Sequence, residues 1–148
     1  MSRIWIIISA TVCAALLLAS GACGATNNSA RGAQDGTIAV TASINQWGTL
    51  AKELGGDLVK VNSIINSTNA EAHDYEPTTA DVKRLCTATV AIVNGADYDS
   101  WALKAATNGK GTIVNAAQAG GKKAGDNPHV WFSAKVRTKT ADAITAAY

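Results

Sequence analysis

The chain has 148 residues, which allow one domain of moderate size and exclude a second full domain. Its 13 lysine and arginine residues nearly balance its 11 aspartate and glutamate residues, so the formal net charge is only +2. Because no basic stripe stands out along the chain, the charge pattern argues against nucleic acid as a partner.

The N-terminal segment is apolar and almost uncharged. Residues 4–19 form a nearly unbroken apolar run behind Arg3, and small residues then lead to Cys23. This run of 16 residues is shorter than the roughly 20 that a membrane-spanning helix needs. It therefore predicts a cleaved secretory signal over residues 1–22 in preference to a permanent transmembrane anchor.

Cys23 follows small residues in a pattern that resembles the lipobox of bacterial lipoproteins, although Ser20 stands where leucine is usual. The resemblance implies an acylated Cys23 that anchors the chain to a membrane. A flexible tether rich in small polar residues would complete the segment 23–36. The alternative is cleavage by an ordinary signal peptidase, which would leave Cys23 unmodified.

Beyond the tether, β-prone runs alternate with helical patterns. Four strands are predicted at residues 37–41, 58–65, 89–94 and 112–115. Helices are predicted at 46–54, after the capping-box pair Thr78 and Asp81, at 98–107, and from Ser133 to the end of the chain. This alternation predicts an α/β fold with a parallel four-stranded sheet and helices on both faces, over residues 37–132.

The chain contains only two histidines, and both lie in short loops that precede a helical pattern. His73 comes after the second predicted strand and His129 comes after the fourth. Loops that follow parallel strands emerge at the carboxyl edge of the sheet, where α/β proteins bind ligands. Since neutral imidazoles are good ligands for Zn²⁺ and other first-row ions, His73 and His129 are candidates for one metal site.

Three acids lie beside the histidines, namely Asp74, Glu76 and Asp126. Each could accept a hydrogen bond from a ring nitrogen that does not bind metal, or add negative potential. A simpler alternative is that both histidines are polar loop residues bonded to the backbone. A small zinc hydrolase would need a third ligand from these acids, and no His-Glu-x-x-His helix is present. We therefore predict that the chain is not an enzyme.

Two motifs around the histidines resemble a known family. Residues 73–77 read His-Asp-Tyr-Glu-Pro, and residues 127–131 read Asn-Pro-His-Val-Trp. They are similar to the signatures of the zinc- and manganese-binding lipoproteins that serve ABC importers, and the likeness covers residues 37–148. The resemblance implies that His73 and His129 bind Zn²⁺ or Mn²⁺ as the transported ligand. It also implies an ABC permease as partner and a lipid anchor on the outer face of the cytoplasmic membrane.

The same resemblance implies an incomplete site. Members of the family have two α/β lobes joined by a long helix, with two more ligands in the second lobe. Residues 133–148 would then be the start of the interlobe helix, with the second lobe absent, and the chain would be a half-receptor. The alternative is a truncated gene product without transport activity, in which the apolar stripe of Val136, Ala143 and Ile144 would have no second lobe to pack on.

The choice between zinc and manganese is not fixed by these residues. Ala72 stands where some zinc-binding members carry a carboxylate, and residues 116–125 contain no histidine-rich loop. The ligands that would discriminate the two ions would lie in the second lobe.

Overall fold

The computed structural model describes residues 36–67 and 72–148. The predicted signal, Cys23 and the predicted tether up to residue 35 lie outside the described residues. Within the described part, no helix combines the length and the apolar character that crossing a membrane requires.

Four parallel strands form one sheet. They are β1 (Ile38–Ile44), β2 (Val59–Ile65), β3 (Val90–Val93) and β4 (Thr112–Asn115), in the order β2-β1-β3-β4. β1 is central, and its Val40 is paired with Val61 on one side and with Val90 on the other. The predicted α/β class with a parallel four-stranded sheet is confirmed.

In the described part of the chain, five α-helices connect and follow the strands. They are α1 (Asn45–Gly55), α2 (Thr79–Thr87), α3 (Ser100–Ala106), α4 (Ala116–Ala119) and α5 (Ala134–Ala147). Two short 3-10 helices add Gly56–Leu58 before β2 and Val130–Phe132 before α5.

Three elements differ from the sequence prediction. β1 continues through Ser43 to Ile44. Ser43 is polar, but it is buried with its apolar neighbours and does not end the strand. α3 begins at Ser100 instead of residue 98, because the chain first makes a turn with positive φ angles. The short α4 was not predicted; its N-terminus is capped by Asn115, whose side chain accepts from the amide of Gln118 at 3.0 Å.

The sheet has a core on each face, as the alternation of side chains along a strand requires. Val90 and Ile92 of β3 belong to the larger core, together with Trp47 of α1. Ala91 and Val93 belong to the smaller core, which includes residues of α2 and α3. The helices on the two faces therefore shield a strand that is buried on both sides, as its composition predicts.

Helix α5 packs on the larger core. Val136 and Ile144 are fully buried there, and the hydroxyl of Tyr148 donates to the carbonyl of Ala51 in α1 at 2.8 Å. The apolar stripe of this helix, predicted to have no second lobe to pack on, is packed against this domain instead. The residues of the stripe recur at helical spacing, so they lie on one face of the helix. The sheet and α1 of the same domain cover that face.

The N-terminus of α2 is closed by a capping box. The hydroxyl of Thr78 accepts from the amide of Asp81, and the Asp81 carboxylate accepts from the amide of Thr78 at 3.0 Å. The same carboxylate accepts from the hydroxyl of Tyr75 at 3.0 Å and pairs with Arg84 at 3.1 Å. Burial opposes ionisation, but these hydrogen bonds and the charge of Arg84 outweigh it, so the pKa of Asp81 lies below its usual 3.8.

We expect Asp81→Asn to lower the free energy of unfolding at neutral pH by about 1 kcal/mol, because an amide cannot accept all the bonds that the carboxylate accepts. Since the folded-state pKa lies below the unfolded value, the contribution of Asp81 is present above pH 3.8 and is lost as the pH falls through the folded pKa. Urea unfolding of both proteins over a series of pH values measures this difference.

Asp142→Asn is the matched control, since Asp142 forms an exposed ion pair with Lys139 at 3.2 Å and should contribute less than about 0.5 kcal/mol. A stability difference for Asp81→Asn that stayed constant into the acid range would contradict the role assigned to its charge.

Candidate metal site

The two histidines lie around one tyrosine ring. The ring centroid of Tyr98 is 4.6 Å from that of His73 and 5.8 Å from that of His129. Both contacts are edge-to-face, and both imidazoles are exposed while Tyr98 is buried. The fold thus brings together two side chains that are 56 positions apart in the sequence.

The His73 loop is attached to α2 and α3. The indole N–H of Trp101 donates to the carbonyl of Ala72 at 3.1 Å, and Ala72 itself is buried. Tyr75 packs against Trp101 with ring centroids 5.0 Å apart, while its hydroxyl reaches Asp81. The residue before His73 and the second residue after it are therefore both fixed.

The His129 loop is attached to β3 and α5. The side-chain amide of Asn94 donates to the carbonyl of Pro128 at 2.8 Å, and Val130 is buried in the larger core. The guanidinium of Arg137 donates to the carbonyls of Trp131 and Phe132 at 2.9 and 3.2 Å. These contacts hold the 3-10 helix that follows His129.

Trp131 and Phe132 add aromatic surface beside the site. The Trp131 ring lies 5.2 Å from that of His129 and 5.1 Å from that of Tyr98. Phe132 is 77% exposed, which is unusual for so large an apolar side chain. The face that carries the histidines is thus partly apolar.

A strained turn after β3 sets the position of Tyr98. Gly95, Ala96 and Asp97 have φ angles of 77°, 51° and 63°, and two of these residues are not glycine. The buried Asp99 carboxylate accepts from the amides of Asn94 and Gly95 at 2.7 and 2.9 Å, and so holds the turn closed. Burial raises the pKa of Asp99, and its hydrogen bonds oppose that shift only in part.

The predicted acids are not the hydrogen-bond partners of the histidine rings in this structure. Asp126 accepts instead from the amide of Lys123 at 3.0 Å, and no hydrogen bond joins the side chain of Asp74 or Glu76 to a described residue. The partner of His129 is Asn127, whose side-chain oxygen lies 3.0 Å from Nδ1. That these acids add negative electrostatic potential near the histidines stays a prediction.

Two functional neighbours were missed from the sequence. The sequence predicts Tyr98 at the start of a helix, and its contact with both histidines depends on tertiary packing that no local pattern reports. Asn127 lies in the quoted motif, and its spacing of two residues from His129 is the signal that could have identified it, because asparagine often bonds to the backbone two residues on.

The described residues offer two imidazoles as metal donors. Among residues 36–67 and 72–148, no group of three or more histidine, cysteine, aspartate or glutamate side chains is placed to hold a metal ion. A closed zinc site has four protein ligands and a catalytic one has three. Two imidazoles alone would fill half of a tetrahedral shell.

Comparison with solved structures identifies the same fold in metal receptors. The Zn(II)-bound AdcA of Streptococcus pneumoniae aligns with a TM-score of 0.62 and 21% identity, over 76% of this chain and 26% of that one. The Mn-bound periplasmic metal-binding protein of Candidatus Liberibacter asiaticus aligns with a TM-score of 0.62 and 24% identity, over 75% of this chain and 46% of that one.

A curated relative has a similar extent. The chain is 31% identical over 132 residues to the iron-binding protein YfeA of Yersinia pestis, which covers 83% of this chain and 42% of the relative. The chain thus spans less than half the length of these proteins. The likeness corresponds to the N-terminal lobe of the two-lobed fold, as predicted.

Residues 40–148 match the protein family described as "ZnuA: Zinc-uptake complex component A periplasmic". The family consists of components of uptake systems and not of enzymes, which confirms the prediction that the chain is not an enzyme. Because the match extends over well more than half of the sequence, the chain belongs to the family of the periplasmic component A of zinc-uptake complexes.

Proposed function

We propose that this domain binds a divalent transition metal ion, zinc or manganese, through His73 and His129, for delivery to an ABC importer. The observation that carries the proposal is the position of both imidazoles, exposed and in contact with the same Tyr98 ring. A shared metal ion requires imidazoles from separate loops to lie near one another, and contact with one ring places His73 and His129 in the same neighbourhood.

Asn127 determines which nitrogen of His129 is available to a metal. Its Oδ1 accepts from the backbone N–H of His129 at 3.0 Å, so the atom that faces the ring is the oxygen of the amide. The same oxygen lies 3.0 Å from Nδ1 of the ring, and only a protonated Nδ1 can donate to it. Nε2 then keeps its lone pair, and we assign it as the metal donor.

The domain acts as a half-receptor in this proposal. With two imidazoles and water, the coordination shell lacks the protein ligands of a closed site, so binding is weaker than in a four-ligand site. The related proteins are described as bound to zinc or manganese or as iron-binding, which supports a first-row divalent ion without selecting one.

The location and partners follow from the family and the N-terminal sequence. We propose that a lipid on Cys23 holds the domain on the outer face of the cytoplasmic membrane, where an ABC permease receives the ion. The support is the apolar segment and the small residues before Cys23, together with the periplasmic description of the family.

We expect His73→Ala and His129→Ala each to weaken zinc binding by at least about tenfold, because either change leaves one imidazole of a two-imidazole site. Calorimetric titration of the full chain with zinc, and separately with manganese, measures the dissociation constants. Unfolding temperatures of the three proteins serve as the control, and they should agree closely because both side chains are exposed. Zinc binding that survives both substitutions unchanged would refute the site.

We expect Asn127→Ala to release the fixed tautomer of His129. In the wild type at neutral pH, ¹⁵N chemical shifts should show the ring proton on Nδ1, and the variant should show a mixture together with zinc binding weakened about tenfold. Asn108→Ala is the matched control, because Asn108 is exposed and its side chain bonds only to the carbonyl of Lys104. A wild-type ring proton on Nε2 would contradict the assignment.

A further inference from the structure

The carbonyl group directly before each histidine accepts a hydrogen bond from the same short segment. Before His73, the carbonyl of Ala72 accepts from Nε1 of Trp101 at 3.1 Å. Before His129, the carbonyl of Pro128 accepts from Nδ2 of Asn94 at 2.8 Å. Both donors lie in residues 94–101, which we name the clamp segment; it also contains Tyr98, whose ring contacts both imidazoles.

We propose that Asn94 and Trp101 are positioning residues of the metal site, and that each holds one histidine at the distance which a shared ion requires. The inference rests on the proposed function, since it assigns a purpose to the geometry of His73 and His129. Neither residue contacts the ion; each acts through the carbonyl that precedes a ligand.

Asn94 is suited to this role because every hydrogen atom of its side-chain amide is used. The residue is fully buried, and Nδ2 donates to the carbonyls of Gly95 and Pro128 at 3.0 and 2.8 Å. Its Oδ1 accepts from the indole N–H of Trp47 at 3.1 Å, which fixes the orientation of the amide. Among the described residues, this amide makes the one hydrogen bond that joins residues 126–130 to the end of the sheet.

Trp101 holds the other loop from the first turn of α3. Its ring is half-buried and packs against Tyr75, and its single side-chain N–H donates to the carbonyl of Ala72. A tryptophan has one such donor, so this bond is what specifies the position of the loop, while the ring supplies apolar contact. Substitution of Trp101 with phenylalanine can therefore separate the hydrogen bond, which is lost, from the apolar contact of an aromatic ring, which is kept.

The clamp segment is rigid enough to set a distance. Its turn is held by the Asp99 carboxylate, and the carbonyl of Asn94 also accepts from the amide of Ala117 at 2.8 Å. Both clamps therefore extend from one segment that is held by hydrogen bonds within it and to Ala117. Holding ligands in place before the ion arrives lowers the ordering cost of binding, so losing one clamp weakens affinity.

The test compares three variants of the full chain. Trp101→Phe removes the clamp on His73, and Asn94→Ala removes the clamp on His129. Thr41→Val is the matched control, because it deletes a buried hydroxyl donor to a backbone carbonyl, that of Arg84, which lies in neither histidine loop. Zinc affinity is measured by calorimetry, and the Cε1–Hε1 signals of the two histidines, the only ones in the chain, are recorded by NMR without metal.

We expect Trp101→Phe to weaken zinc binding about tenfold and to shift or broaden the His73 signal more than the His129 signal. Asn94→Ala should weaken binding by a similar factor with the opposite pattern of signals. Thr41→Val should lower the unfolding temperature and leave zinc affinity within about twofold of the wild type. If Asn94→Ala does not fold, the zinc affinity and histidine signals of Trp101→Phe alone test the inference.

The failures of the two proposals are distinguishable. If the wild type binds zinc through its histidines and the folded clamp variants bind equally well, the clamp inference is wrong and the proposed function stands. The inference is also wrong if either clamp variant disturbs both histidine signals equally, since that indicates general loosening. A wild type that is folded and binds no zinc would overturn both.

Discussion

The carboxylate of Asp99, buried and bonded to the amides of Asn94 and Gly95, is the interaction on which the geometry of the candidate site depends. Positive φ at two successive non-glycine residues, Ala96 and Asp97, is costly unless their surroundings over-determine it, and here the carboxylate supplies that constraint. A carboxylate buried in this way is itself tolerated only because backbone donors reach it. The strained turn and the buried charge therefore stabilise each other, and the position of Tyr98 follows from both.

Much of the fold could be predicted because its signals are local. The strand β3 is apolar throughout, the capping box of Thr78 and Asp81 is visible three residues apart, and the glycine at Gly95 marks a turn. The family resemblance was carried by two short motifs, and the match to the zinc-uptake family confirms it. Each of these features depends on residues that are neighbours in the sequence.

The details of the site could not be predicted, because they depend on contacts between distant segments. The bond from Asn94 to Pro128 joins residues 34 positions apart, and the packing of Val136 and Ile144 required knowing which face of the sheet α5 covers. The sequence favoured charged partners for the histidines, since carboxylates are strong acceptors. The fold instead uses Asn127, a neutral residue whose oxygen is oriented by the backbone of His129 itself.

Arg137 gives helix α5 a mechanical connection to a ligand loop. It reaches back from the first turn of the helix to two carbonyls of the 3-10 helix after His129, and Tyr148 ties the other end of α5 to α1. The C-terminal end of the helix is thus hydrogen-bonded to α1, and its N-terminal end is hydrogen-bonded to the loop that follows His129. A change in the orientation of α5 would therefore reach the loop of His129 through the two hydrogen bonds of Arg137.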